Sequence, residues 1–119
     1  MPILDKDTLA NEELSPGTER WTLVDDTRGA SSLSVADLSL APGSKVPTHY
    51  HPTEEAMVIM EGELEAEVGN DLVTVHPGQT ILAPAGVKHG FVNRSGSSAR
   101  LMAIFPTAKV ERIYVDQEH

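Results

Sequence analysis

The chain has 119 residues, no cysteine and a formal net charge of −9, which suits one domain able to bury a core without a disulfide or metal staple. Thiolate ligands, cysteine nucleophiles and disulfides are excluded, and Lys and Arg scattered through an acidic chain argue against nucleic acid or an anionic membrane as partner. The opening MPILDKDTLANEEL lacks the basic start and apolar core of a signal peptide and no apolar run could span a bilayer, so a soluble, cytoplasmic protein is expected.

Residues 1–19 are polar and mixed, closed by the turn residues Ser15-Pro16-Gly17, and read either as an irregular lead or as an arm that packs on another subunit. Trp21 to Val24 is strand-like, and residues 25–29 read as a turn. From Leu33 to Leu40 the apolar parity switches, Leu33 and Val35 being odd and Leu38 and Leu40 even, so a bulge is expected near Ala36-Asp37. Ala41-Pro42-Gly43 then turns the chain into the stretch GSKVPTHYHPTEEAMVIMEG.

After Gly62, Leu64, Ala66 and Val68 alternate with Glu63, Glu65 and Glu67, as in a strand with one solvated face. Gly69-Asn70-Asp71 is a hairpin signal, followed by strands over 72–75 and 80–83. A loop over 94–98 precedes a last apolar strand, Ala99 to Phe105, and Ile113 to Val115 can add an edge strand. No segment has a convincing 3.6-residue apolar period. Short strands separated by turn signals predict an all-β barrel or sandwich.

His49, His51 and Glu55 share parity, so on an extended segment all three project from one side. Histidines two apart on a strand are separated by about 6.6 Å at Cα, close enough for two imidazoles to reach one ion at about 2.0–2.2 Å. His89 follows another Pro-Gly pair, in GQTILAPAGVKHGFVN.

Together the two stretches resemble the paired motifs of the cupins. The first carries Gly43, His49, His51, Glu55 and Gly62, and the second Gly78, Pro84, Gly86, His89 and Asn93, each at the family spacing. The likeness is to small single-domain cupins of the conserved-barrel type. It implies one double-stranded β-helix, or jelly-roll, with a core over about residues 20–115 and an N-terminal arm over 1–19.

The resemblance also implies His49, His51, Glu55 and His89 as ligands of one divalent transition metal. Three imidazoles and a carboxylate suit Fe, Mn, Ni, Zn, Co or Cu without choosing among them. Met57, Ile59 and Phe91 have ligand-side parity and are expected either to line a substrate pocket or to fill ordinary barrel core. Glu55 is the main candidate for a catalytic acid or base, with Tyr114, Lys45 and Arg100 as further candidates, whereas His76 and His119 are expected to be exposed and not to ligate.

One scaffold hosts many chemistries, so the reading of function stays broad. The leading expectation is a mononuclear-metal, dioxygenase-like oxidoreductase that oxidises or cleaves a small chelating diketone, enediol or phenolic compound. Its alternatives are an oxygen-independent isomerase, decarboxylase or lyase, and a non-catalytic module for a small, sugar-like molecule. A homodimer is expected, both by the resemblance and because both faces of Ala56 to Met60 are apolar.

Overall fold

Period-two alternation of apolar and polar residues makes this chain a succession of strands, each with one face for the interior and one for the outside. The structure, a computed structural model, describes residues 2–115. In chain order the strands are β1 (Glu12–Ser15), β2 (Thr18–Val24), β3 (Ser34–Leu40), β4 (Lys45–Tyr50), β5 (Glu55–Glu61) and β6 (Leu64–Val68). They continue with β7 (Asp71–Val75), β8 (Thr80–Ala83), β9 (His89–Val92), β10 (Ala99–Phe105) and β11 (Ile113–Tyr114).

Two antiparallel sheets face one another, one ordered β1-β2-β3-β10-β5-β8 and the other β11-β4-β9-β6-β7. Successive strands change sheet, as from β4 to β5 and from β8 to β9. That makes an all-β jelly-roll barrel with the core between the sheets. Leu40, Met57, Ile59, Leu64 and Leu101 are at most 2% exposed.

The sheet begins earlier than the expected core. Glu12–Ser15 pairs with β2 of its own chain, and Lys6 lies 4.2 Å over the Trp21 ring and 3.2 Å from Asp37. The first residues therefore cover their own barrel's outer surface.

The bulge expected at Ala36-Asp37 is not there. β3 pairs with β10 in unbroken register from Ser34 to Leu40, and the irregularity lies on its other neighbour, between Thr22 and Val24 of β2. The parity switch has a simpler cause. Leu33 precedes the strand and is exposed, Val35 faces outward, and Ala36, Leu38 and Leu40 face the core.

A second irregularity shapes the site. Val46 opposes Phe91 and His49 opposes His89, so β4 spends three residues where β9 spends two. The extra residue falls at Pro47-Thr48, and a bulge there keeps both Val46 and His49 pointing inward despite their opposite parity. Gly90 completes the fit, because a Cβ there would lie 2.8 Å from the Val46 carbonyl oxygen.

Candidate metal centre

The four residues expected to ligate come together, but not from one strand. His49 is on β4 and Glu55 opens β5, strands of opposite sheets. His51 sits in the link that crosses between them, and His89 opens β9 as the cross-strand partner of His49. One ligand atom from each lies within 4.8 Å of the others, and all four residues are buried. The second motif's turn is fastened to the first by a hydrogen bond from Gly86 N to the His51 carbonyl, 2.9 Å.

The outer nitrogens of the three rings are already committed. His49 Nδ1 donates to the Pro47 carbonyl at 2.8 Å, His51 Nδ1 to the Glu111 carbonyl at 2.8 Å and His89 Nδ1 to the Val87 carbonyl at 3.0 Å. Each bond fixes the tautomer in which Nε2 carries the free lone pair. Those lone pairs face the Glu55 carboxylate, whose Oε1 lies 2.7 Å from His89 Nε2 and 3.2 Å from His51 Nε2. His51 Nε2 is buried and, despite Glu55 Oε1 at 3.2 Å, makes no well-aligned hydrogen bond among the described residues.

Lone pairs and a carboxylate this close require a positive species between them. A proton on His89 satisfies one contact, and a divalent cation would satisfy all four donors. The orphaned His51 nitrogen and the three braced rings fit the cation.

Burial pushes His49 down to about 4, with His89 and Arg112 adding to the fall, while its hydrogen bond to the Pro47 carbonyl opposes it. Burial alone would raise Glu55, but close polar contacts and charge from His51 and His89 prevail and hold it at about 2. For His89, burial is outweighed by Glu55, so its pKa lies above the ordinary imidazole value.

A cavity of about 240 Å³ opens beside the cluster. His49, Glu55 and His89 reach its wall, whereas His51 stands behind, its ring against Phe105 with centroids 4.8 Å apart. Met57 and Phe91 lie on the wall. Ile59, two residues further along β5, is in the apolar core away from that wall.

Among the other candidates, Tyr114 has its ring 5.9 Å from that of His49. Lys45 is exposed and off the cavity wall. Arg100 pairs on the outer side of the barrel with Asp37, at 3.2 Å, and with Glu61. His76 is exposed and remote, as expected, and His119 lies outside the described residues. Two arginines that sequence reasoning missed, Arg20 and Arg112, reach the cavity wall. Arg20 looks like an ordinary polar strand position, and Arg112 belongs to neither motif.

A two-sheet barrel whose inner wall gathers three braced imidazoles and a carboxylate defines a barrel protein built around a metal-ligating cluster. The family model for the cupin domain matches residues 36–105, and the chain belongs to the cupin family. It is 31% identical over 105 residues to tetracenomycin polyketide synthase protein TcmJ of Streptomyces glaucescens, covering 86% of this chain and 70% of that one. It is 32% identical over 87 residues to protein SchB of Streptomyces halstedii, covering 72% of this chain but only 63% of SchB. The polyketide cyclase RemF of Streptomyces resistomycificus shares the fold, with a TM-score of 0.85 at 24% identity over 100% of this chain and 88% of RemF.

Proposed function

We propose that this cupin is a metal-dependent enzyme acting on a small, enolisable 1,3-dicarbonyl or phenolic compound that presents two oxygens to the ion. The observation that carries the reading is the convergence of His49, His51, Glu55 and His89 on one point beside a cavity whose wall three of them reach. The likeness to a polyketide synthase protein supports this substrate class, because polyketide chains are series of such carbonyls.

A divalent ion held by these four residues supplies Lewis acidity toward the substrate's oxygens and, if redox-active, a partner for dioxygen. The chain's own residues do the rest. The backbone carbonyls of Pro47, Glu111 and Val87 keep the imidazoles aimed. Glu55 stays ionised and contributes negative charge, and its carboxylate on the cavity wall is the candidate acceptor for a proton leaving the substrate. Met57, Phe91, Leu101 and Phe105 present an apolar wall that orients the body of the substrate and keeps bulk water from the reacting oxygens.

The test is turnover of a panel of 1,3-diketones and phenols by protein loaded anaerobically with Fe(II), Mn(II), Ni(II) or Zn(II), followed with and without air. Metal-dependent loss of substrate is expected. Oxygen uptake in step with that loss assigns the dioxygenase-like oxidation, and equal rates in its absence assign enolisation or lyase chemistry. Tight binding with no turnover under any metal would reduce the protein to a binding module.

A further inference from the structure

Six charged side chains reach the cavity wall: Arg20, Asp25, Asp26, Glu55, Lys109 and Arg112. Five are engaged. Arg20 Nε donates to Oε1 of its cross-strand partner Glu12 at 3.0 Å. Lys109 Nζ is 3.7 Å from Asp26 Oδ2. Asp25 caps the turn at residues 26–28, accepting from Thr27 N at 3.0 Å. Glu55 is held by His51 and His89.

Arg112 is the exception, with no hydrogen bond or ion pair among the described residues. It is half-buried. Burial, and then the charge of Arg20, push its guanidinium below its ordinary pKa, while Tyr114, Glu55 and Glu12 pull the other way. A cation partly withdrawn from water, with no partner among the described residues, favours an anion that completes it. In a chain of net charge −9, a cation on a cavity wall that no described residue matches is a local reversal of the field.

Its position is tied to the metal centre. Glu111, the preceding residue, lends its carbonyl to His51 Nδ1, and β11, immediately following, pairs Tyr114 with His49. One short stretch therefore both braces two ligands and places the guanidinium at the cavity.

We propose that Arg112 is the anion-binding residue of this cavity and that the substrate is a small monocarboxylate, whose carboxylate docks on the guanidinium while its other oxygens face the four-ligand centre. This rests on the function proposed above and narrows it to carboxylated members of the diketone and phenol class. A planar guanidinium matches a carboxylate with two parallel N–H···O bonds. A phosphate, with three strong acceptor oxygens and up to two charges, asks for more donors than one free guanidinium supplies. The remaining wall, with Leu38, Met57, Phe91, Leu101 and Phe105, suits an apolar or aromatic body.

The test uses the metal-free full chain, so that it is independent of turnover. Benzoate, benzyl alcohol and inorganic phosphate are titrated separately while the Arg112 Nε–H resonance is followed by NMR. Benzoate should move that resonance and bind at least about tenfold more tightly than benzyl alcohol, with phosphate binding no tighter than benzoate. Arg112→Met should remove most of this preference, and Arg112→Lys should restore part of it, while separate samples of both variants take up as much added metal as the wild type. A resonance that does not move, equal binding of benzoate and benzyl alcohol, or tighter binding of phosphate would overturn the carboxylate assignment. Loss of the metal centre's activity with benzoate recognition intact would instead overturn the reading of function alone.

Discussion

The two ends of the barrel are built from the same strands and differ in what they bury. β5 runs from Glu55 at the cavity to Ile59 in the core, β3 from Ser34 to Leu40, and β10 from Ala99 to Phe105. At the far end Leu40, Ile59, Leu64 and Ala99 close together, and the buried Asn93 beside them is satisfied by the chain itself, donating to the Leu40 and Ser97 carbonyls at 2.9 and 2.8 Å. That end is so tight that a Cβ on Gly62 would come within 2.6 Å of the Ser98 carbonyl oxygen. At the near end lie imidazoles, a carboxylate and a guanidinium that is unpaired among the described residues. The closed end supplies stability through apolar burial, and the open end gives up some of it to hold reactive groups out of water.

The comparison is broken most forcefully at the closed end. Leu64→Ala removes a side chain 1% exposed and should destabilise the fold by about 2–5 kcal/mol in chemical denaturation. Metal bound per folded chain should not change. A large loss of metal affinity in that variant would mean the two ends are not separable.

At the open end the pattern should invert. His49→Ala and His89→Ala each remove a braced ligand and should lower metal affinity by about 10–100-fold or more, while His76→Ala leaves it unchanged. Elemental analysis and competitive chelation measure this, and equal loss from all three variants would sink the ligand set. Glu55→Ala should reduce turnover more than occupancy, since three imidazoles remain to hold the ion.

Acid should act on the open end first. Although burial opposes it, Glu55 favours a proton on His89, so the proton competes with the ion from somewhat above the ordinary imidazole value downward. His49, lowered by burial to about 4, joins only in stronger acid. Affinity should therefore begin to fall above the ordinary imidazole value of about 6.5, reach about tenfold per pH unit below it, and fall more steeply below about pH 4. Metal retention that is flat from pH 7 to 4 would contradict this.

The smallest effect on either end is expected from the outer surface. Val35, Ala56, Val58, Met102 and Ile104 are half-buried on the outside of the six-stranded sheet, and a homodimer formed through this face is expected. Light scattering at low micromolar concentration should give the dimer mass for the wild type and the monomer mass for Val58→Glu, with metal content the same in both. A monomeric wild type would remove the dimer from the picture.

The closed end was legible in sequence because it follows local rules. Alternation over residues 64–68 and 99–105 marks strands and their inner faces without reference to anything distant. The four clustered residues were legible for a different reason, since their types and spacings form two recognisable motifs. What the motifs do not contain is the route by which the ligands meet. His49 reaches the interior through a bulge at Pro47-Thr48 rather than by plain alternation, and His51 and Glu55 straddle a change of sheet. The parity switch at 33–40 was misleading because Leu33 lies outside the strand. Arg112 had no local signal at all, as only the pairing of β11 with β4 brings it to the cavity.

The bond from His51 to the Glu111 carbonyl joins residues 60 apart in the chain. One residue of the candidate centre is thus steadied by the strap that carries β11, which is itself pinned by Val115 N donating to the Thr48 carbonyl at 3.1 Å. Thermodynamic reciprocity then applies: if a seated strap tightens the hold on the ion, the ion must tighten the seating of the strap by the same factor. The C-terminal segment becomes a reporter of occupancy. Amide exchange at Val115 and cleavage by a protease within residues 106–112 should both slow when the ion is added, and should do so less in His51→Ala.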